Sequence, residues 1–206
     1  MFDDRARILI FAKAPIPGQV KTRLIPAVGA AAAAALHGRM LRDLLARIGP
    51  QPPAPIELWC APDDEHPLFV DLAAKYGLMR HRQRGRDLGE RMYRAAQTSM
   101  GETRFAILIG ADCPGLDRSY LQRSLIALAD GADAVLGPAE DGGYVLLGLR
   151  RLAMRLFEDM PWGTDEVAAI TRTRMADLGW RWTELATLWD LDRPEDLARA
   201  GSPACP

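Results

Sequence analysis

The sequence contains little cysteine and no long apolar run. Its three cysteines, Cys60, Cys113 and Cys205, are odd in number and far apart. This spacing argues against a disulfide framework and matches no metal-binding pattern, as is usual in a reducing compartment. The apolar segment behind the acidic start MFDDRAR is too short for a signal peptide or a membrane span. We therefore expect a cytoplasmic protein with no membrane span.

The sequence also lacks an excess of charge of either sign. The formal net charge is −1 and the isoelectric point is about 6.3, whereas nucleic-acid-binding domains are usually strongly basic. No nucleic-acid partner is expected, and an oligomer stays possible. With 206 residues, 49% of them hydrophobic, the chain suits a single globular domain over residues 1–206.

The first loop is irregular and basic. A buried strand is predicted at Ile8–Phe11, and Pro15 and Gly18 then break it into a loop. The cations that the loop carries are Lys13, Lys21 and Arg23. Because helix N-terminal N–H groups would add to this charge, the loop predicts a phosphate site; the alternative is a set of solvated charges. The segment PGQVKT is not a Walker A loop, because it lacks the glycine immediately before the lysine and the upstream glycine.

Predicted strands and helices alternate through most of the chain. Further strands are predicted at 56–61, 77–83, 104–110, 132–138, 144–149 and 180–185, and helices at 28–48, 66–76 and 151–157. This alternation predicts an α/β fold, a three-layer α/β/α sandwich with a mostly parallel sheet. An Asp-Gly hairpin at Gly142 would make the sheet mixed.

Carboxylates follow two of the later segments. Asp112 comes directly after the apolar run FAILIG, at the edge of a central strand, where a buried charge needs a cation or hydrogen-bond donors. A structural turn is the alternative. Asp190 and Asp192 are two residues apart in an extended segment, so their carboxylates lie on the same side. The pair suits one metal ion, and helix capping is the other interpretation.

Two acidic residues are predicted to begin helices. Asp87 precedes the stripe that starts at Leu88, where an N-cap is the common role of aspartate; a functional role for Asp87 together with Arg91 is the alternative. Asp117 is predicted as a cap without chemistry.

The segment around residue 142 combines turn and site signals. Gly142 and Gly143 permit either a plain hairpin or the close approach of a ligand to the backbone. Asp141 directly precedes them. Trp162 would either stack on a base or sugar or act as a buried anchor. Thr164 is predicted as the N-cap of a later helix.

Several motifs together resemble, in order and spacing, a bacterial family of GT-A-like transferases related to the cofactor guanylyltransferases. They are FAKAPIPGQVKTRL, RDLGERM, GADCPGLD, GPAEDGGYVLLGL, PWGTDEV and LDRPEDL. The resemblance covers nearly the whole chain and implies the nucleotide-diphospho-sugar transferase fold. It also implies a nucleotide on the first loop and a divalent metal, Mg²⁺ or Mn²⁺, on Asp112 and Asp192.

The leading hypothesis is metal-assisted transfer of a sugar from a nucleotide-diphospho-sugar to a small acceptor. The Pro-rich first loop favours it over nucleotidyl transfer, since related nucleotidyltransferases open with a Gly-rich loop. The alternatives are nucleotidyl transfer from a nucleoside triphosphate to a phosphorylated acceptor and a non-catalytic nucleotide-binding module. The predicted residues are Lys21, Asp112 and Asp141 for catalysis, Lys13, Pro15, Gly18, Lys21, Arg23, Asp87 and Arg91 for the nucleotide, Asp112 and Asp192 for the metal, and Gly142, Gly143 and Trp162 for the acceptor.

Overall fold

A computed structural model describes residues 3–200, and Cys205 lies outside them. The strands in this part of the chain are β1 (Ala6–Lys13), β2 (Ile56–Ala61), β3 (Met79–Arg82), β4 (Phe105–Gly110), β5 (Ala134–Pro138), β6 (Tyr144–Leu149) and β7 (Trp182–Glu184). They form one sheet in the spatial order β3-β2-β1-β4-β6-β5-β7. The alternating α/β pattern of the sequence is therefore confirmed.

Helices cover both faces of this sheet. They are α1 (Ile25–Val28), α2 (Ala30–Ile48), α3 (Pro67–Tyr76), α4 (Leu88–Met100), α5 (Arg118–Ala129), α6 (Val167–Asp177) and α7 (Pro194–Ala200). In β1, Ile8 and Ile10 join the apolar cluster of α2, α3 and α5, whereas Leu9 joins that of α4 and α6. Because successive side chains of a strand point to opposite faces, this division gives the predicted three layers.

All neighbouring strands are parallel except β6, which runs antiparallel to both β4 and β5. The carboxyl ends of β1, β4 and β5 therefore meet the amino end of β6 at one edge of the sheet. Ligands of such sheets bind at this edge.

The predicted helix caps are confirmed at two positions. Asp87 accepts a hydrogen bond from the Glu90 N–H at 2.8 Å, and Asp117 accepts one from the Tyr120 N–H at 2.7 Å.

The predicted cap at Thr164 is wrong, because α6 begins only at Val167. The Thr164 hydroxyl instead donates to the Pro161 carbonyl at 2.9 Å, within a turn. The predicted helix at 151–157 is reduced to a 3-10 turn at Met154–Leu156. The carbonyls of Arg155, within this turn, and of Glu158, just after it, accept hydrogen bonds from the Arg174 guanidinium of α6. Local sequence patterns do not contain this tertiary contact.

The predicted helix over 28–48 is interrupted near its start. Gly29, with φ +80°, separates α1 from α2. No helix among residues 3–200 combines the length and the apolar character that crossing a bilayer requires.

Candidate functional site

A cavity of about 460 Å³ opens where β1 and β4 end. Its charged lining consists of the cations Lys13, Lys21 and Arg23 and the acids Asp112, Asp141, Asp190 and Asp192. The cavity lies at the edge where open α/β sheets bind their ligands, and its size is typical of small-molecule sites.

A chain of ion pairs crosses the polar end of this cavity. Lys21 Nζ lies 3.0 Å from Asp112 Oδ2 and 3.3 Å from Asp192 Oδ1. Arg23 Nη1 lies 2.8 Å from Asp192 Oδ2. The network joins the loop after β1 to the loop after β4 and to the segment before α7, and we call it the Lys21 network.

The backbone at Lys21 is unusual for a residue with a side chain. Its φ of 47° and ψ of 42° lie in the left-handed region, which costs a non-glycine residue roughly 1–2 kcal/mol. Such strain persists where surrounding contacts compensate it, often at functional sites. Here the buried side chain, only 4% exposed, makes both carboxylate contacts.

For each residue of the Lys21–Asp112 pair, burial and the neighbouring charges shift the pKa in opposite directions. Burial disfavours the charged ammonium of Lys21, but the Asp112 and Asp192 carboxylates outweigh it and raise the Lys21 pKa. Burial likewise disfavours the Asp112 carboxylate, and the Lys21 ammonium reverses this effect and lowers the Asp112 pKa. Both groups are therefore ionised at neutral pH.

Asp190 lies in the same cavity in a different electrostatic environment. Burial raises its pKa to about 6, and the negative charges of Asp141 and Asp112 contribute in the same direction. From the sequence, Asp190 and Asp192 were a pair suited to one metal ion, but only Asp192 was kept among the predicted metal residues. The two-residue spacing was the signal that both carboxylates reach the cavity.

His37 of α2 also lines the cavity. It was not among the site residues predicted from the sequence. Its Nε2 lies 3.0 Å from the Lys13 carbonyl; since a carbonyl only accepts, Nε2 carries the proton and donates. Its Nδ1 is buried without a partner among residues 3–200. Burial lowers the His37 pKa, so the ring is neutral at physiological pH and fixes the carbonyl at the end of β1. A single histidine on a helix carried no signal of this role.

A second part of the cavity lining is apolar. Its lining includes Phe11, Leu88, Met92, Tyr144, Trp162 and Val167. The Tyr144 and Trp162 rings meet edge to face with centroids 6.3 Å apart. The Tyr144 hydroxyl is buried without a hydrogen-bond partner in the part of the chain that the structure describes, and burial raises its pKa. These apolar side chains suit the less polar part of a ligand.

The structure brings most of the predicted site residues to one cavity. Those that line it are Lys13, Lys21, Arg23, Asp112, Asp141, Asp192, Gly143 and Trp162. Asp141 is exposed, and its Oδ1 accepts a hydrogen bond from the Gly143 N–H at 2.9 Å, which holds the turn at the rim.

Five predicted residues do not line this cavity: Pro15, Gly18, Asp87, Arg91 and Gly142. Gly18 is exposed with φ +82°, and Asp87 is the exposed cap of α4. Gly142 packs against the segment before α6, where a Cβ would lie 2.1 Å from the Asp165 carbonyl oxygen. Arg91 lines a neighbouring pocket.

The oxygen ligands at this site suit Mg²⁺ or Mn²⁺. No group of three histidine, cysteine or acidic side chains within residues 3–200 forms a ready metal cluster. However, Mg²⁺ is commonly held by one or two carboxylates together with substrate phosphates and water. The cavity has four acidic side chains and three cationic ones, so its own charge does not favour an anion. A divalent ion would offset both this excess of acids and the charge of an incoming diphosphate.

Comparison with known proteins places the chain in a family. Residues 44–164 match the family described as an uncharacterized protein conserved in bacteria (DUF2064). A crystal structure from Desulfovibrio desulfuricans G20, provisionally described as a nucleotide-diphospho-sugar transferase, has 31% sequence identity and a TM-score of 0.86. The similarity covers 98% of this chain and 90% of that one. No curated protein sequence matches the chain.

More distant structures share the fold alone. A 4-diphosphocytidyl-2C-methyl-D-erythritol synthase from Anaerococcus prevotii DSM 20548 has a TM-score of 0.63 at 11% identity, covering 96% of each chain. Glucosyl-3-phosphoglycerate synthase from Mycobacterium tuberculosis, in complex with Mn²⁺, UDP and glucosyl-3-phosphoglycerate, has a TM-score of 0.56 at 11% identity, covering 95% of this chain and 75% of that one. The chain thus has the nucleotide-diphospho-sugar transferase fold and belongs to the DUF2064 family.

Proposed function

We propose that this protein, acting as a single domain, transfers a sugar from a nucleotide-diphospho-sugar to a small acceptor. The observation that carries the proposal is the Lys21 network at the carboxyl ends of β1 and β4, beside an apolar wall. Lys21 and Arg23 offer positive charge to a leaving diphosphate, and Trp162 offers a ring face or edge to a sugar or acceptor. The transferase neighbours support the reaction class.

The transfer step needs few groups from the protein. An acceptor hydroxyl oxygen attacks the anomeric carbon, and a new carbon–oxygen bond forms. The bond between that carbon and the β-phosphate oxygen breaks, and its electron pair leaves with the nucleoside diphosphate. The acceptor proton passes to a carboxylate, for which Asp141 at the cavity rim is our choice.

The remaining site residues position the donor. The backbone N–H groups of Val20 and Lys21 have no hydrogen bond to the rest of residues 3–200, and we assign them to phosphate oxygens of the donor. Asp112 and Asp192 would hold the divalent ion, which would supply Lewis-acid stabilisation of the diphosphate charge. Lys21 and Arg23 keep both carboxylates oriented toward the cavity.

Nucleotidyl transfer is the second candidate. In that reaction an acceptor phosphate oxygen would attack the α-phosphorus of a nucleoside triphosphate, and pyrophosphate would leave. The observation in its favour is a basic pocket that adjoins the cavity through Lys13 and adds three arginines to the available positive charge.

The decisive experiment measures which product is released. Nucleotide sugars and nucleoside triphosphates are incubated with the protein, Mg²⁺ or Mn²⁺ and a panel of small acceptors, and nucleoside diphosphate and pyrophosphate are quantified. We expect diphosphate release from one nucleotide sugar, reduced at least tenfold in Asp141→Asn and Lys21→Met. Arg155→Gln, which breaks an exposed ion pair with Asp177 outside the cavity lining, serves as the matched control.

Other outcomes would change the assignment. Pyrophosphate release from a triphosphate would replace glycosyl transfer by nucleotidyl transfer. Saturable nucleotide binding without turnover of any acceptor would contradict both and leave a binding module. A cytoplasmic location stays a prediction of the sequence, and an oligomer stays possible.

A further inference from the structure

A second pocket of about 600 Å³ adjoins the main cavity at the ends of β2 and β3. Its charged lining consists of Lys13, Arg82, Arg84 and Arg91, and no acidic residue lines it. The main cavity, by contrast, has more acidic than cationic side chains. The positive charge of this edge of the sheet is therefore concentrated in the second pocket.

The four cations of the second pocket are not neutralised by the protein. None of them forms an ion pair with a carboxylate among residues 3–200. The acid of the adjacent helix turn, Glu90, is already paired with Arg86 at 3.0 Å and with Arg94 at 2.6 Å. The Arg86 backbone N–H and these two guanidinium groups hold the pKa of Glu90 at about 2. Like charges brought together without counter-charge favour an anionic ligand.

The walls of the pocket are held in place. Arg91 Nε donates to the Gly85 carbonyl at 3.2 Å, which restrains the guanidinium. A Cβ on Gly85 would lie 2.7 Å from the Arg91 backbone nitrogen, so the loop reaches α4 only because residue 85 has no side chain. At the floor, the buried Gln83 amide donates to the Ala12 carbonyl at 3.3 Å and to the Trp59 carbonyl at 2.8 Å. A restrained guanidinium such as that of Arg91 binds an anion at a smaller cost in side-chain entropy.

The two pockets form one continuous surface. Lys13, Gln19, Val20 and Gln83 line both of them. A ligand in the main cavity therefore reaches the second pocket past the Lys13 side chain.

We infer that the second pocket binds a phosphate group of a substrate whose reacting part lies in the main cavity. This inference rests on the proposed function in that both reactions bring phosphorylated substrates to this edge. Arginine guanidinium groups are suited to phosphate because they donate in a planar fork. The phosphate belongs either to the nucleotide or to a phosphorylated acceptor, and both sources share the same recognition chemistry.

The test begins with inorganic pyrophosphate as the probe, measured by isothermal titration at two salt concentrations. We expect Arg82→Gln/Arg84→Gln to raise the Kd at least tenfold and to reduce its salt dependence, because both arginines are exposed and unpaired. Arg155→Gln is the control and should leave the Kd unchanged, and thermal unfolding verifies that each variant folds. The inference is overturned if pyrophosphate does not bind, or if Arg23→Gln weakens it and the double variant does not.

A second set of titrations identifies the source of the phosphate. Nucleoside diphosphate, nucleoside triphosphate and a sugar phosphate are compared in the wild type and the double variant, the sugar phosphate at saturating nucleotide. A selective loss of triphosphate affinity assigns the pocket to the nucleotide, and a selective loss of sugar-phosphate affinity assigns it to the acceptor. Unchanged affinity for all three contradicts the inference. These titrations need no turnover, so a failure of the proposed reaction is observed separately.

Discussion

Lys21 Nζ lies 3.0 Å from Asp112 Oδ2, although one residue follows β1 and the other follows β4. The pair connects the two loops that border the polar end of the cavity. Because Asp192 contacts the same ammonium at 3.3 Å, one buried cation orients both of the carboxylates that we propose for the metal. The first loop therefore has a structural role in addition to any contact with a nucleotide.

Lys21→Met removes this cation and leaves two carboxylates facing each other. We expect the free energy of unfolding to fall by about 1–3 kcal/mol, between the values for exposed and for buried pairs. The intermediate value is chosen because the Lys21 side chain is 4% exposed and the Asp112 side chain is 38% exposed. Urea denaturation at pH 7 measures the change.

The control for this variant is Arg155→Gln, whose pair with Asp177 is exposed on both sides and should contribute less than about 1 kcal/mol. In a double-mutant cycle, Lys21→Met and Asp112→Asn should be less destabilising together than the sum of the two single effects. Strict additivity would show that the contact is not formed in solution.

Tyr144→Phe removes a buried hydroxyl that has no partner in the described structure. Because an unsatisfied buried polar group is costly, we expect the variant to be more stable by about 1 kcal/mol, or roughly 2–4 °C in Tm for a chain of this size. Differential scanning calorimetry tests this. A clear decrease in Tm would show that the hydroxyl has a partner, such as water, in the folded protein.

Asp133→Asn should change the pH dependence of stability without changing the site. Asp133 is buried, accepts hydrogen bonds from the Arg181 N–H at 3.0 Å and from Arg150 Nη2 at 2.7 Å, and has a lowered pKa because of these two donors. Since its folded pKa is below the unfolded value of 3.8, its stabilisation is complete above that pH and is lost as the pH falls further.

Chemical denaturation between pH 3 and pH 7 tests the role of Asp133. The wild type should lose stability below about pH 4 more steeply than Asp133→Asn, and the variant should be less stable at pH 7. Ligand binding at the cavity should be equal in both proteins. Parallel pH profiles would contradict the assignment.

Gly142→Ala tests the close packing of the acidic turn on the segment before α6. Gly142 has φ +87°, and a Cβ there would lie 2.1 Å from the Asp165 carbonyl oxygen. Gly179→Ala is the matched control, because Gly179 also has a positive φ, +65°, but no atom within 4 Å of the added Cβ.

In Gly179→Ala the free energy of unfolding should fall only by the cost of a positive φ in a residue with a side chain, about 1–2 kcal/mol. Gly142→Ala should lose more than that, because the Asp165 backbone must also move. Equal losses of unfolding free energy in urea titrations would show that the turn adapts without cost.

The strands were predictable where apolar runs are continuous and bounded by turn residues. The prediction for 56–61 coincides with β2, and that for 144–149 coincides with β6. The prediction of a helix at 151–157 was wrong. The segment is short, and the Arg174 guanidinium donates to the Arg155 carbonyl within it and to the Glu158 carbonyl just after it. The pattern of single residues contains no information about that contact.

The sequence by itself determined the α/β layering and the edge of the sheet at which charged side chains collect, because hydrophobic periodicity and turn residues are local properties. Only the tertiary structure decided which charges meet. Strand order brings Lys21 to Asp112 and Asp192, and the end of β3 brings Arg82 and Arg84 beside Lys13. Electrostatic interactions depend on distances through space, which separation along the chain does not specify.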